Sequence, residues 1–153
     1  MPVSSAGILP YRHRGDSIEL LLVHPGGPFW AKKDDGAWSI AKGELDEGEE
    51  PRACALRELE EELGSSLGLT VERLTEIGSV RQKSGKVVHG WAAEAEFDPA
   101  ELRSNTFAIE WPPRSGRQQE FPEVDRVEWF EPEAARAKIN PAQAEFIDRL
   151  LAL

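Results

Sequence analysis

Gly43–Ser65 reads GELDEGEEPRACALRELEEELGS, and the rest of the chain is best read outward from this stretch. It opens on a glycine turn and runs through acidic residues to Pro51. Pro51 suits the first turn of a helix, where its missing N–H costs nothing, and Gly64 suits the C-terminal stop. Between them the spacing predicts a helix, PRACALRELEEEL, with Leu56, Leu59 and Leu63 at i, i+3 and i+7 as one apolar stripe. Glu58, Glu61 and Glu62 are expected on the opposite side, three and four residues apart, so that three carboxylates share one patch. Arg57 precedes Glu61 by one turn and can grip a carboxylate in a forked, charge-assisted pair.

Three like charges on one face repel one another. A charge run is most often a solvated face. The other reading is a hard-cation site, because Mg2+ and Mn2+ favour carboxylate oxygens and suit a phosphate-bearing substrate. The spacing separates the two. Gly43, five residues, Glu49, seven residues, Arg57-Glu58-Leu59, one residue, Glu61-Glu62, one residue, Gly64 resembles the Nudix box, G-x5-E-x7-R-E-U-x-E-E-x-G-U, where U is apolar. Every fixed letter is present, a match expected by chance on the order of once in a million chains. Ser65 is the one departure, at a packing position.

Composition bounds the rest. At 153 residues and 17.0 kDa, a single domain over 1–153 with one core is expected. No apolar run approaches the roughly 20 residues that span a bilayer. The stretch MPVSSAGILPYRHR lacks the basic-then-apolar order of a signal peptide, so export is not expected. Cys54, the only cysteine, excludes an intramolecular disulfide and a cysteine-rich zinc site; it reads as a core thiol in a reducing, cytoplasmic setting. A net charge of −10 disfavours a nucleic acid polymer or an anionic membrane as partner. A compact anionic ligand remains compatible, if metal and local cations neutralise it.

On either side of the box, Ser4–Arg12 and Ile18–His24 read as a strand pair around the Gly15-Asp16 turn. Residues 25–37 have loop composition but carry Phe29-Trp30 and Lys32-Lys33, which either stack on a base and meet phosphates or cap the core. Trp38-Ser39-Ile40 reads as a short strand. Two more strands are expected at 75–82 and 87–97, around a turn whose Lys83 and Lys86 either reach substrate phosphates or are only solvated. Ser104–Phe121 reads as irregular, with Trp111, Arg114 and Arg117 as a second group suited to phosphate and base. Val127–Phe130 reads as a last strand, followed by helices opened by Pro132 and Pro141, the final one packing through Ala144, Ile147, Leu150 and Leu151. This is an α/β pattern with a mixed sheet between helices, and the resemblance names it the Nudix α/β/α sandwich.

The resemblance also implies a function: attack of water on a nucleoside diphosphate linked to another moiety, with Mg2+ or Mn2+ as cofactor. It makes Arg57, Glu58, Glu61 and Glu62 the catalytic set. The metal ligands implied are Glu58, Glu61, Glu62, the Gly43 carbonyl and a later glutamate. For that last ligand Glu123 lies six residues before Trp129, as in a closing E-x5-W strand, with Glu120 as competitor and a solvated loop acid as the plain alternative. The general base is left open among Glu58, Glu61 and a distant glutamate. Trp30, Lys32, Lys42, Lys83 and Arg114 are the candidates for gripping a small-molecule nucleotide, held by a monomer or homodimer.

Trp38-Ser39…Lys42-Gly43 and Glu123…Trp129-Phe130 resemble the diadenosine polyphosphate hydrolase-like branch. The tyrosine common there some 16 to 18 residues past the box is replaced by Val80, Arg81 and Gln82. A housecleaning nucleoside triphosphate pyrophosphatase and a non-catalytic nucleotide-binding module are the alternatives.

Overall fold

The computed structural model describes residues 3–153. Strand β1 (Ser4–Arg14) is small and apolar because Ser5 to Pro10 are buried at the middle of the sheet. It turns at Gly15, whose φ of +60° suits glycine, into antiparallel β2 (Ser17–Pro25), with Tyr11 opposite Leu20. The same edge of β1 takes β3 (Ala41–Glu44) antiparallel through Ser5–Ile8. Its other edge takes β5 (Val87–Glu94) in parallel. With β4 (Thr75–Arg81) outside β5 and β8 (Val124–Phe130) outside β2, the described residues form a six-stranded mixed sheet. Its order is β4-β5-β1-β2-β8, with β3 beside β1.

Helix α1 (Pro51–Leu63) covers one face, and α2 (Pro132–Lys138) and α3 (Ala144–Leu151) cover the other. Two apolar clusters follow. Cys54, Ala55, Leu59 and Leu63 pack with Ile8, Leu21 and Trp91; Phe146, Ile147 and Leu150 pack with Leu9, Leu20 and Val88. This is the α/β/α sandwich. Helix α1 starts and stops as its sequence requires: the Glu50 carboxylate accepts from the Ala53 N–H, Pro51 begins the first turn, and Gly64 closes it at φ 84°.

Four local readings are corrected. The buried edge of α1 is Cys54/Ala55, Glu58/Leu59 and Leu63, with Leu56 half-buried, because the helix lies on β1 and β3 and draws Glu58 underneath. The carboxylates are therefore not opposite the apolar stripe. Leu151 is 40% exposed, and Phe146 takes the core position instead, against Gly90, where a Cβ would lie 2.7 Å from its ring. Trp38 and Ser39 make only single bridges, to Ile139 and Val23, before β3 begins at Ala41. The stretch read as irregular is a hairpin, β6 (Thr106–Glu110) against β7 (Gln118–Pro122). Its alternation is faint because only one face, with Phe107 and Ile109, is even half covered. Among the described residues no helix is long and apolar enough to cross a membrane.

Candidate active site

Where α1 crosses β3, the chain leaves a cavity of about 480 Å3. Five carboxylates line it, Glu44, Asp46, Glu58, Glu62 and Glu123, against three cations, Lys42, Arg57 and Lys86. Gly43 makes the approach of strand and helix possible: a Cβ there would sit 2.0 Å from Glu58 Cδ and 2.1 Å from Oε2.

Arg57 organises the acids. Its Nε and Nη2 donate to Glu49 at 2.8 and 2.9 Å, a two-pronged pair, while Nη1 donates to Glu58 at 2.9 Å and to both Glu61 oxygens at 3.2 Å. Nη2 also reaches the Glu44 carbonyl at 3.3 Å. The fork holds the Glu49 carboxyl down at about 2, helped by the Asp46 N–H, and raises the Arg57 guanidinium in turn.

The other acids are pushed the opposite way. Burial first, and then the charge of Glu58, drive the Glu62 carboxyl up to about 8, against the pull of Lys42. Burial and Glu61 raise Glu58, opposed by Arg57, and burial and Glu61 raise Glu123. Lys42 is itself lowered, by burial and then by Lys86. The site thus gathers five carboxylates against three cations, with Glu58 buried and Glu62 half-buried, and crowding of this kind is what a divalent cation relieves. Its donors are all oxygen, as Mg2+ and Mn2+ prefer. Among the described residues no three such side chains already converge as a cage, because Glu58 and Glu61 are turned onto Arg57.

The structure brings together Lys42, Gly43, Glu58, Glu62 and Glu123 around the cavity, with Glu61 joined to them through Arg57. Glu120 is exposed on β7. Lys83 lies elsewhere, in a separate cavity with Gln82, Asn140 and Pro141; it is Lys86, 3.6 Å from Glu44, that faces the acids. The hairpin turn points its two lysines in different directions, which spacing alone does not reveal. Trp30 and Lys32 lie on the exposed loop after β2; Phe29 and Trp30 are 64% and 40% exposed, so neither caps the core. Lys33, not Lys32, stands over the Trp30 ring, at 4.9 Å. Arg114 sits at the tip of the β6–β7 hairpin, its N–H held by Glu110.

Two features had no sequence signal. Ser5 lines the carboxylate cavity, and its buried Oγ has no hydrogen-bond partner. A serine in an apolar strand gives no hint of this. His24, fully buried, has Nδ1 2.7 Å from Asp125 Oδ1 and Nε2 2.7 Å from the Lys33 carbonyl, and so moors the aromatic loop to β8.

The NUDIX domain model matches residues 1–150. An RNA pyrophosphohydrolase of Rhizobium meliloti is 30% identical, with 79% of each chain covered. One of Rhodospirillum rubrum is 40% identical over 67 residues, a stretch that spans only 38% of that relative. An Ap4A hydrolase of C. elegans, solved as a binary complex, superposes with a TM-score of 0.64 at 25% identity, covering 98% of this chain and 96% of that one. With the box intact and its residues gathered around one acidic cavity, the chain belongs to the Nudix family, whose enzymes are hydrolases of phosphoanhydride bonds.

Proposed function

We propose that the protein is a metal-dependent pyrophosphohydrolase that cleaves a phosphoanhydride bond in a nucleoside polyphosphate, with a dinucleoside polyphosphate such as diadenosine tetraphosphate as preferred substrate. The observation that carries this is the cavity itself, where five carboxylates face three cations and an arginine fork holds three of the acids of the box.

In this reading Glu58, Glu61, Glu62 and the Gly43 carbonyl would hold Mg2+ or Mn2+, with Glu123 approaching from the junction of β7 and β8. A cation held there supplies neutralisation of phosphate oxygens and a lowered pKa for the attacking water. The remaining work belongs to the chain. Arg57 and Glu49 keep the carboxylates in register, as second partners of metal ligands do. Lys42 and Lys86 meet the phosphates as point charges. A carboxylate among Glu58, Glu61 and Glu123 takes the proton from the water. The net charge of −10 favours a small nucleotide over a polymer, and the buried thiol of Cys54, pushed up to about 12, fits a reducing, cytoplasmic setting.

The name of the Rhizobium and Rhodospirillum relatives, RNA pyrophosphohydrolase, favours a second substrate, an RNA, whose phosphoanhydride would lie at a 5′-triphosphate end. Both are a nucleoside bearing a 5′-linked polyphosphate, so one experiment separates them. The protein is incubated with Mg2+ or Mn2+, or with chelator, and a panel of diadenosine tetraphosphate, a short 5′-triphosphorylated RNA, ADP-ribose, and normal and oxidised triphosphates. Metal-dependent release of ATP and AMP from diadenosine tetraphosphate, well above the other rates, supports the first reading. Preferential release of phosphate or pyrophosphate from the RNA supports the second. No cleavage of any compound by the folded protein would sink both and favour a binding module.

A further inference from the structure

Two segments far apart in sequence meet outside the carboxylate cavity. Phe29, on the loop after β2, and Trp111, at the tip of the β6–β7 hairpin, lie with ring centroids 5.5 Å apart and planes at 81°. Phe29 is 64% exposed and Trp111 half-buried, so this pair is not a core contact. Two rings at a right angle make a corner: a flat aromatic that stacks on one meets the other edge-on.

Both segments carry bases beside acids, and some of those acids are already engaged: Asp34 and Asp35 pair with Lys138, and Glu110 holds the Arg114 N–H. Lys32 and Lys33 follow Phe29, and Arg114 and Arg117 follow Trp111. Among the described residues none of these four is in an ion pair. In a protein of charge −10, cations free of ion pairs on the same two segments as these rings suit an anion that carries a flat ring.

The corner is built on the same frame as the acids. The Gly26 N–H donates to the Glu123 carbonyl at 2.9 Å, and a Cβ on Gly26 would lie 1.9 Å from the Pro122 carbonyl oxygen. A Cβ on Gly27 would lie 2.8 Å from the tip of Phe107, so the hairpin is seated on the two glycines that lead into the aromatic loop. At the hairpin base the Asn105 N–H donates to the backbone carbonyl of Glu61 at 2.9 Å. A smaller cavity of about 130 Å3 shares Lys42, Glu62 and Glu123 with the larger one and reaches Pro25, where the loop begins.

We infer that Phe29 and Trp111 form a nucleobase-stacking subsite for the nucleotide whose polyphosphate enters the carboxylate cavity. The inference rests on the proposed nucleotide chemistry of that cavity. Stacking tolerates any base, so the subsite selects for the presence of a base over its identity.

The test compares binding of AMP with that of ribose 5-phosphate, by calorimetry, in wild type, Phe29→Ala, Trp111→Ala and Trp111→Phe. In wild type AMP is expected to bind about tenfold tighter, the effect of stacking one base on an aromatic side chain. Both alanine variants should bring the ratio of the two affinities close to one, while Trp111→Phe should keep most of it. Phe29 is exposed, so Phe29→Ala decides the matter even where Trp111→Ala fails to fold. A ratio unchanged in folded Phe29→Ala overturns the subsite, whatever the enzyme hydrolyses. A base-dependent ratio that the alanine variants abolish upholds it, even if none of the nucleotides offered above is cleaved.

Discussion

Gly43 and Glu58 stand so close that the carboxyl group of one occupies the space a side chain of the other would need: a Cβ on Gly43 would overlap Glu58 Cδ at 2.0 Å. Strand β3 and helix α1 therefore approach through a backbone, and the Gly43 carbonyl accepts from the Cys54 thiol of that helix at 3.7 Å. Gly43→Ala should move the carboxylate or the strand. Overpacking of this kind costs about 1–3 kcal/mol, which for a chain of this size is a Tm lower by roughly 2–12 °C. The thermal stabilisation that Mg2+ or Mn2+ gives the wild type should shrink in the variant. A full metal-induced shift in Gly43→Ala would show that the close approach has no bearing on the metal.

Glu62→Gln keeps shape while removing a charge from a crowded site. Turnover should fall at least about 100-fold, the upper end of what losing a mere second partner of a ligand costs. The metal-free protein should melt no lower than wild type, since burial and Glu58 already disfavour the charged form of Glu62. Differential scanning fluorimetry with and without Mn2+ reads both statements, and retained turnover in the folded variant would remove Glu62 from the metal.

The Arg57–Glu49 fork sets an acid limit. Glu49 is held at about 2 from an ordinary 4.5, so its contribution is present above pH 4.5 and is lost as pH falls from about 4.5 to 2. Glu58, Glu62 and Glu123 are shifted upward, so their gain on protonation comes at higher pH, for Glu62 as pH falls from about 8 to 4.5, and is complete before the Glu49 contribution is lost. The informative quantity is therefore the difference between wild type and Glu49→Gln. Denaturation from pH 6 to pH 2.5 should show that difference narrowing as pH falls, and a constant difference would contradict the ion pair.

Arg57→Lys should preserve charge and lose the fork, because an ammonium cannot hold Glu49 through two parallel bonds while reaching Glu58 and Glu61. The expected drop in kcat/KM is about 10- to 100-fold, with weaker metal affinity. If titration with Mn2+ gave equal affinities for Arg57→Lys and wild type, the orienting role would be lost.

Ser5 gives a prediction of opposite sign. A buried hydroxyl without a partner costs about 1–3 kcal/mol, so Ser5→Ala should raise the Tm of the metal-free protein. A fall in Tm would reveal a partner for the hydroxyl. A simultaneous loss of turnover would mean that the hydroxyl is used once substrate is bound.

The family was legible from residues 43–64 alone, because the box fixes its residue types at fixed intervals and such spacing survives as text, and the α/β class followed from the order of strands and helices around it. So were the caps of α1 and the strand pair around Gly15, which depend on neighbours in sequence. What lay beyond reach depends on groups distant in the chain. That Glu58 is buried follows from the Gly43 approach. That Lys86 and not Lys83 faces the acids follows from the twist of the β4–β5 turn beside Glu44. The meeting of Phe29 with Trp111 requires a hairpin whose alternation is half hidden because one of its faces is never covered. Local chemistry writes itself into spacing, whereas the burial of a charge and the pairing of remote rings are decided only when separate segments compete for the same volume.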